Sequence, residues 1–178
     1  MKKYIYKFLQ IILTPKQYAK FVGVTIGENC IISTKHFGSE PFLITLGNGV
    51  HITKGVQFVN HDGGVHVFRK QVSSFDVFGK IVINDGTYIG NNVLILPGVY
   101  IGKDCIVGAN TVVTKSIPDN CVVAGNPCRY ISSTSAYYEK IIIKNAETKG
   151  LVDNDRKEKI LNLPEMKFIK KVEMKCDL

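Results

Sequence analysis

The sequence lacks the features that mark several common classes of protein. Its five cysteines stand at positions 30, 105, 121, 128 and 176 with no Cys-x-x-Cys pair, so a disulfide framework is excluded and reduced thiols are expected. No apolar run is long enough to cross a bilayer, and no motif of a nucleic-acid-binding protein is present. What remains is the composition of an ordinary globular chain, with 45% hydrophobic residues among 178.

Acidic residues are missing from the N-terminal segment. Residues 1–22 carry five lysines and no acid, whereas residues 23–138 balance eight basic against seven acidic residues, so most of the net charge of +8 lies at the N-terminus. Lys7 interrupts the apolar run and no small-residue cleavage site follows, which predicts a cytoplasmic protein. For this basic segment the sequence favours a solvated helix face, with contact to an anionic membrane surface as the alternative.

The central part of the chain repeats every six residues. The hexads INDGTY, IGNNVL, ILPGVY, IGKDCI, VGANTV and VTKSIP follow one another from Ile83 to Pro118. A period of six is neither that of a helix nor that of a single strand, and it predicts a parallel β-helix of short strands and tight corners. The residue that opens each hexad and the small or branched fifth residue are predicted to point inward. The opening residues are Ile83, Ile89, Ile95, Ile101, Val107 and Val113, and the fifth residues are Thr87, Val93, Val99, Cys105 and Thr111.

Two insertions and two non-repeating ends complete the predicted organisation. The repeat also runs upstream from Ile26 and Leu46, and it is interrupted around residues 38–42 and 64–82. Insertions in a solenoid emerge as loops on one face, which is often the binding face. We therefore predict a single domain over residues 1–178, with a helical cap at 1–22, a β-helix at 23–131 with an extruded loop at 64–82, and a helical or irregular arm at 132–178.

The ends carry helix signals. Thr14, Pro15 and Gln17 predict an N-cap, a proline in the first turn and a capping-box glutamine. Residues 136–145 and 153–163 are predicted to form short helices. A capping helix at the start of the coil is expected because an uncovered coil would expose unpaired strand edges and apolar side chains.

The hexads, the VVTKSIP segment at residues 112–118 and the AGNPCR turn at residues 124–129 resemble the hexapeptide-repeat acyltransferases. The resemblance covers residues 23–131. It implies an all-β solenoid, a left-handed parallel β-helix with short N-terminal and C-terminal helices. It also implies acetyl-coenzyme A as co-substrate and a homotrimer in which the cofactor lies between neighbouring subunits. The left hand comes from the resemblance alone, because chain-crossover rules favour right-handed connections.

His61 is the predicted general base. It lies in VNHDGG, where the hexads give way to the long loop, and this matches the position of the family's catalytic histidine. An alcohol is a weak nucleophile at neutral pH, and an imidazole can accept its proton as it attacks a thioester. Asn60, Asp62 and His66 are predicted substrate contacts, with ordinary turn or loop residues as the alternative.

Two further features of the catalytic step follow. No cysteine has a recognisable Cys-His arrangement, so direct transfer within a ternary complex is expected. The carboxylate that orients His61 is left open between Asp62, Glu28 and Asp76.

The cofactor contacts are implied by motif position in the resemblance. Asn91, Gly108 and Ala109 match the residues that line the pantetheine arm, and Lys115 and Arg129 match the nucleotide end, where phosphates need cations. The alternatives are a corner asparagine, small residues required by packing, and solvated surface charges.

The sequence therefore predicts an acetyl-coenzyme A dependent O-acetyltransferase that acts on a sugar hydroxyl, in surface polysaccharide or nucleotide-sugar metabolism. N-acetylation of an amino sugar and O-acetylation of a xenobiotic remain open, because both need the same base. A rival from another class is a zinc-dependent hydratase similar to the left-handed β-helix carbonic anhydrases, whose ligand spacing His61 and His66 reproduce. A non-catalytic scaffold of the same fold is the third hypothesis, and no metal ligand is predicted for the favoured function.

Overall fold

Short strands dominate the computed structural model, which describes residues 2–173. The α-helices are α1 (Lys2–Ile12), α2 (Pro15–Phe21), α3 (Thr134–Ile142) and α4 (Asp153–Leu161). The strands are β1 (Thr25–Ile26), β2 (Ile31–Ile32), β3 (Ile44–Leu46), β4 (His51–Ile52), β5 (Gln57–Phe58), β6 (Ile81–Ile83), β7 (Tyr88–Ile89), β8 (Leu94–Ile95), β9 (Tyr100–Ile101), β10 (Ile106–Val107), β11 (Val112–Val113), β12 (Cys121–Ala124) and β13 (Arg129–Ser133).

The strands form three sheets that are the faces of a prism. Sheet A has the order β1-β3-β6-β9, sheet B has the order β13-β12-β10-β7-β4-β2, and sheet C has the order β11-β8-β5. All pairs are parallel except β12 with β13, which closes the coil. Because Ile83 pairs with Ile101, three hexads later, each hexad supplies one side of the prism. The predicted parallel β-helix is confirmed.

The core contains the residues that the repeat predicted. The six opening residues of the hexads are each 0% exposed, and the fifth residues are at most 3% exposed. Upstream, Leu46, Ile52 and Phe58 are also buried. Burial raises the pKa of the Cys105 thiol, whose Sγ donates to the carbonyl of Pro118. This cysteine is therefore a core residue, as expected.

The three sheets meet at three edges, each named by the two sheets that it joins. These edges position the site. The A–B edge is stabilised by side-chain caps such as Asn48 N–H to Asp85 Oδ1 (2.8 Å), a bond that lowers the pKa of Asp85. The B–C edge contains residues 90–92, 108–110 and 124–125, and the C–A edge contains residues 96–98 and 114–116.

The first turn of the coil is covered by helices. Thr14 forms the predicted capping box with Gln17, and Pro15 opens α2. Ala19 of α2 is fully buried in the core of the coil. None of the described helices combines the length and apolar character that crossing a bilayer requires.

The two insertions leave the coil close to where they were predicted. The first lies between Phe37 and Ile44 and contains a 3-10 helix at Pro41–Leu43. The second follows Asn60 and ends before Ile81, because residues 81–83 pair with β3. The predicted C-terminal limit of the loop at residue 82 was therefore too late.

The chain divides into two compact units, one up to Thr134 and one from Ser135 onward. The two helices predicted after the coil are present as α3 and α4, and the second unit contains α4 and most of α3. Within this unit, Lys159 Nζ donates to the carbonyl of Glu147 (2.9 Å). The four cysteines within the described residues are free, and Cys176 lies outside them. The single-domain assignment stays a prediction.

Candidate active site

His61 lies at the base of the extruded loop. The two strands of that base are joined by hydrogen bonds from Gly79 N–H to the carbonyl of Asn60 (2.8 Å) and from Asp62 N–H to the carbonyl of Val77 (2.9 Å). Between them, His61 forms an antiparallel bridge with Phe78, and the two rings meet edge to face with centroids 6.4 Å apart. The main chain at His61 is therefore held by hydrogen bonds on both sides, although the residue belongs to a loop.

Glu40 of the first insertion holds the ring of His61. Its Oε2 lies 2.9 Å from His61 Nδ1, and the carboxylate is 19% exposed whereas the imidazole is 41% exposed. A carboxylate accepts but cannot donate when ionised, so Nδ1 carries the proton. In the neutral imidazole, Nε2 then presents its lone pair, and it makes no hydrogen bond within residues 2–173. This tautomer is the one that a general base at Nε2 requires.

None of the three carboxylates considered from the sequence occupies that place. Asp62 Oδ1 accepts from Gly64 N–H (2.8 Å) and caps the 3-10 helix Gly63–Phe68. Asp76 pairs with Arg69 at 2.6 Å, and Glu28 lies on the A–B edge, where its N–H donates to Asn48. Glu40 was missed because it belongs to the non-repeating insertion, and no local pattern relates it to a histidine 21 positions away.

A cleft of about 530 Å³ opens beside His61. Its walls come from the base of the loop, including Asp62 and Phe78, and from the C–A edge, including Pro97 and Thr114. Asp62 is exposed at this cleft and retains one carboxylate oxygen outside the cap, as its predicted substrate contact would require.

Asn60 is fully buried rather than open to the cleft. Its side-chain amide makes no hydrogen bond within the described residues, and it packs under Gly38, where an added Cβ would lie 2.1 Å from Oδ1. It therefore lies between the strand that leads to His61 and the insertion that carries Glu40. Its contact with substrate stays a prediction, and in this structure the side chain is closed off from the cleft.

His66 does not join His61. It lies on the exposed part of the loop, in a separate depression with Val67, Arg69 and Lys70. Within residues 2–173, no three His, Cys, Asp or Glu side chains come together as a metal site would require. The paired histidines on which the zinc hypothesis rested are thus apart in one chain.

The predicted cofactor residues fall on two different edges. Asn91, Gly108 and Ala109 follow one another down the B–C edge, where Asn110 N–H donates to the carbonyl of Asn91 (2.8 Å). Arg129 pairs with Ala124 at the end of the same edge. Lys115 instead follows Thr114 on the C–A edge, beside the cleft of His61.

Packing within the coil explains why one of the predicted cofactor residues is a glycine. A Cβ on Gly108 would lie 2.9 Å from the Cβ of Ala124, so glycine is needed there with or without a ligand. Ala109, Lys115 and Arg129 are exposed. Burial raises the pKa of the Cys128 thiol, although the Arg129 charge opposes the shift, so the cysteine in NPCR is poorly suited to act as a nucleophile.

Comparison with known proteins identifies the repeat. The model of the family described as bacterial transferase hexapeptide (six repeats) matches residues 80–115. The hexapeptide-repeat containing-acetyltransferase VCA0836 from Vibrio cholerae superposes with a TM-score of 0.53 over 72% of this chain and 88% of that chain, at 22% identity. The fold is therefore a left-handed parallel β-helix, as the resemblance implied.

Sequence relatives extend the comparison. The galactoside O-acetyltransferases of Escherichia coli (strain K12) and Lactococcus lactis are 33% and 36% identical, over 66% and 58% of this chain. The chain spans only 57% and 59% of their lengths. Protein CapG of Staphylococcus aureus is 44% identical over 165 residues, which are 91% of this chain and 95% of CapG. With that extent and identity, the chain belongs to the bacterial hexapeptide transferase family.

Proposed function

We propose that this protein is an acetyl-coenzyme A dependent O-acetyltransferase that acts on a sugar hydroxyl, with His61 as its general base. The observation that carries the proposal is the hydrogen bond between Glu40 and His61 Nδ1 at the cleft, which leaves Nε2 open. The relatives named galactoside O-acetyltransferases support acetyl transfer to a sugar. We extend this to surface polysaccharide or nucleotide-sugar substrates as part of the proposal.

The proposed reaction balances with these groups. The acceptor hydroxyl gives its proton to Nε2 while its oxygen bonds to the thioester carbonyl carbon. The C–S bond then breaks, and the protonated imidazole returns the proton to the leaving thiolate. Glu40 stabilises the imidazolium between these steps and holds the ring in the reactive orientation, as the carboxylate of a hydrolase triad does.

The chain's own residues suggest how the co-substrate is held. Lys115, next to the cleft, and Arg129 supply cations for its phosphates. Ala109, which is exposed, supplies peptide groups for a pantetheine arm. Since these residues lie on two edges of one chain, we propose a homotrimer whose neighbouring subunits complete each site.

The test is a kinetic comparison of His61→Ala and Glu40→Gln with the unaltered enzyme. Released thiol is measured with acetyl-coenzyme A and a panel of sugars and amino sugars. We expect His61→Ala to lower kcat by about two to four orders of magnitude, the usual worth of a general base. Glu40→Gln should lower kcat by about tenfold to a hundredfold, because the orientation of the base and the stabilisation of its imidazolium are both affected. The KM for acetyl-coenzyme A should be nearly unchanged, because the proposed cofactor contacts are left intact.

His51→Ala is the matched control. That histidine is half-buried on sheet B, where its ring meets Tyr88 edge to face at 5.2 Å. Full turnover by His61→Ala would reject the assignment of the base. Acetylation of amino sugars in preference to hydroxyls would replace O-transfer by N-transfer.

A further inference from the structure

We propose that α1 is an interfacial helix that binds the surface of an anionic lipid bilayer. The first observation is an apolar stripe, defined as Ile5, Phe8, Ile11 and Ile12, whose residues are 50%, 61%, 79% and 56% exposed. Positions three, four and seven residues apart lie on one side of a helix. Within residues 2–173, the helix therefore presents an apolar face that no other part of the structure covers.

The opposite side of α1 is attached to the coil. The ring of Tyr6 meets that of Phe21 at 5.4 Å, and Gln10 Nε2 donates to the carbonyl of Lys35 (3.5 Å). Lys35 Nζ in turn donates to the carbonyl of Gln10 at 2.5 Å. This bond gives a donor to a carbonyl in the last turn of the helix, where the carbonyls have no partner within the helix. Because this attachment uses the other side, the apolar stripe can bind a surface without any rearrangement of the helix.

Charge selects the occupant of this face. Residues 1–22 contain five lysines and no acidic residue. Lys7, one turn before Ile11, and Lys20 are both exposed, and neither forms an ion pair within the described residues. An exposed apolar face on a segment rich in lysine and free of acidic residues is the composition of helices that lie in the headgroup region of acidic membranes. A second copy of the same face would instead bring two lysine-rich segments together.

α1 borders the insertion that carries Glu40. Tyr6 borders a depression of about 340 Å³ together with Gly38 and Ser39, which directly precede Glu40. Binding through the apolar stripe, on the other side of the helix, would therefore place this insertion about 10–12 Å from the lipid headgroups, which is one helix diameter.

The test is co-sedimentation of the full chain with vesicles, without any substrate. Vesicles of phosphatidylcholine alone are compared with vesicles in which about one third of the lipid is phosphatidylglycerol. We expect partitioning at least about tenfold stronger into the anionic vesicles, weakened when salt rises from about 0.1 M to about 0.5 M. The double variant Phe8→Ser, Ile11→Ser should lose at least about tenfold of this binding.

Two matched sets of variants make the result specific. Val152→Ser with Leu161→Ser removes side chains that are 67% and 73% exposed in the second unit, and should leave binding unchanged. Lys7→Glu with Lys20→Glu should weaken binding to anionic vesicles only.

Three outcomes would overturn the proposal. The first is equal, weak partitioning of the unaltered protein into both kinds of vesicle. The second is unchanged binding by the Phe8→Ser, Ile11→Ser variant. The third combines two results: the unaltered protein does not bind vesicles, and the Phe8→Ser, Ile11→Ser variant has a different oligomeric mass by light scattering. Together they would assign the apolar stripe to a contact between copies of the chain. Vesicle binding is independent of turnover, so failure here leaves the proposed enzyme activity untouched.

Discussion

Gly38 connects the core of the coil to the carboxylate that orients the base. Its φ is +69°, in the left-handed region that favours glycine, and a Cβ there would lie 2.1 Å from Asn60 Oδ1 and 2.9 Å from the carbonyl oxygen of Phe58. The neighbours cannot yield easily, because Asn60 is fully buried and the carbonyl is backbone. A side chain at this position must displace the insertion that carries Glu40.

We therefore expect Gly38→Ala to lower both stability and turnover. The left-handed backbone alone costs about 1–2 kcal/mol for a residue with a Cβ, and the overpacked contact adds about 1–3 kcal/mol. Gly98→Ala is the matched control, because Gly98 has φ of +80° but, apart from its chain neighbours, no atom of the described residues lies within 4 Å of its added Cβ. Thermal unfolding of both variants measures the difference, and equal midpoints would show that the contact with Asn60 relaxes without cost.

At the scale of single elements, the two-residue strands have a fixed register. In β2, Ile32 is 7% exposed and pairs with buried Ile52, whereas its neighbour Ile31 is 56% exposed. Alternation along a strand places the two side chains on opposite faces of sheet B. Ile31 and Ile32 are therefore identical side chains in adjacent positions, one exposed and the other buried.

The expected effects of substitution follow from this register. Ile32→Ala should destabilise the protein by about 2–5 kcal/mol, because it removes buried methyl groups and leaves a cavity. Ile31→Ala should cost less than about 1 kcal/mol. Denaturant midpoints at matched protein concentration provide the comparison. A larger cost at Ile31 would mean that its face of sheet B is covered in the assembled protein.

The elements also show how far the sequence could be interpreted. The inward stack from Ile83 to Val113 followed from the period of six, because each coil repeats the environment of the previous one. The capping box at Thr14 was predictable for a similar reason, since its contacts are three residues apart. Glu40 and Asn60 were not, because their environments arise where the repeat is interrupted and depend on the packing of two insertions against each other.

At the scale of the whole molecule, the predicted site residues divide between two edges. His61, its cleft and Lys115 belong to the C–A edge, whereas Asn91, Gly108, Ala109 and Arg129 belong to the B–C edge. The motif alone could not reveal this division, because it orders residues along the chain and not around the prism. In a cyclic assembly a patch of one subunit contacts a different patch of its neighbour. Such an assembly can bring the two edges together, whereas one chain holds them apart.

This division predicts complementation between two inactive variants. His61→Ala removes the base from the C–A edge, and Ala109→Trp blocks the B–C edge with a bulky side chain; each should be nearly inactive alone. The two chains are then co-expressed in equal amounts. An interface is functional when the Ala109→Trp chain supplies the C–A edge with His61 and the His61→Ala chain supplies the unblocked B–C edge. Random mixing makes about one quarter of the interfaces functional, so turnover per site should recover to about one quarter of the unaltered value.

The mixture of separately purified variants, which cannot exchange subunits during a short assay, is the control. If co-expression restores no activity although mass measurement shows mixed oligomers, His61 and the edge that contains Ala109 act within one chain, and the two edges do not combine across an interface.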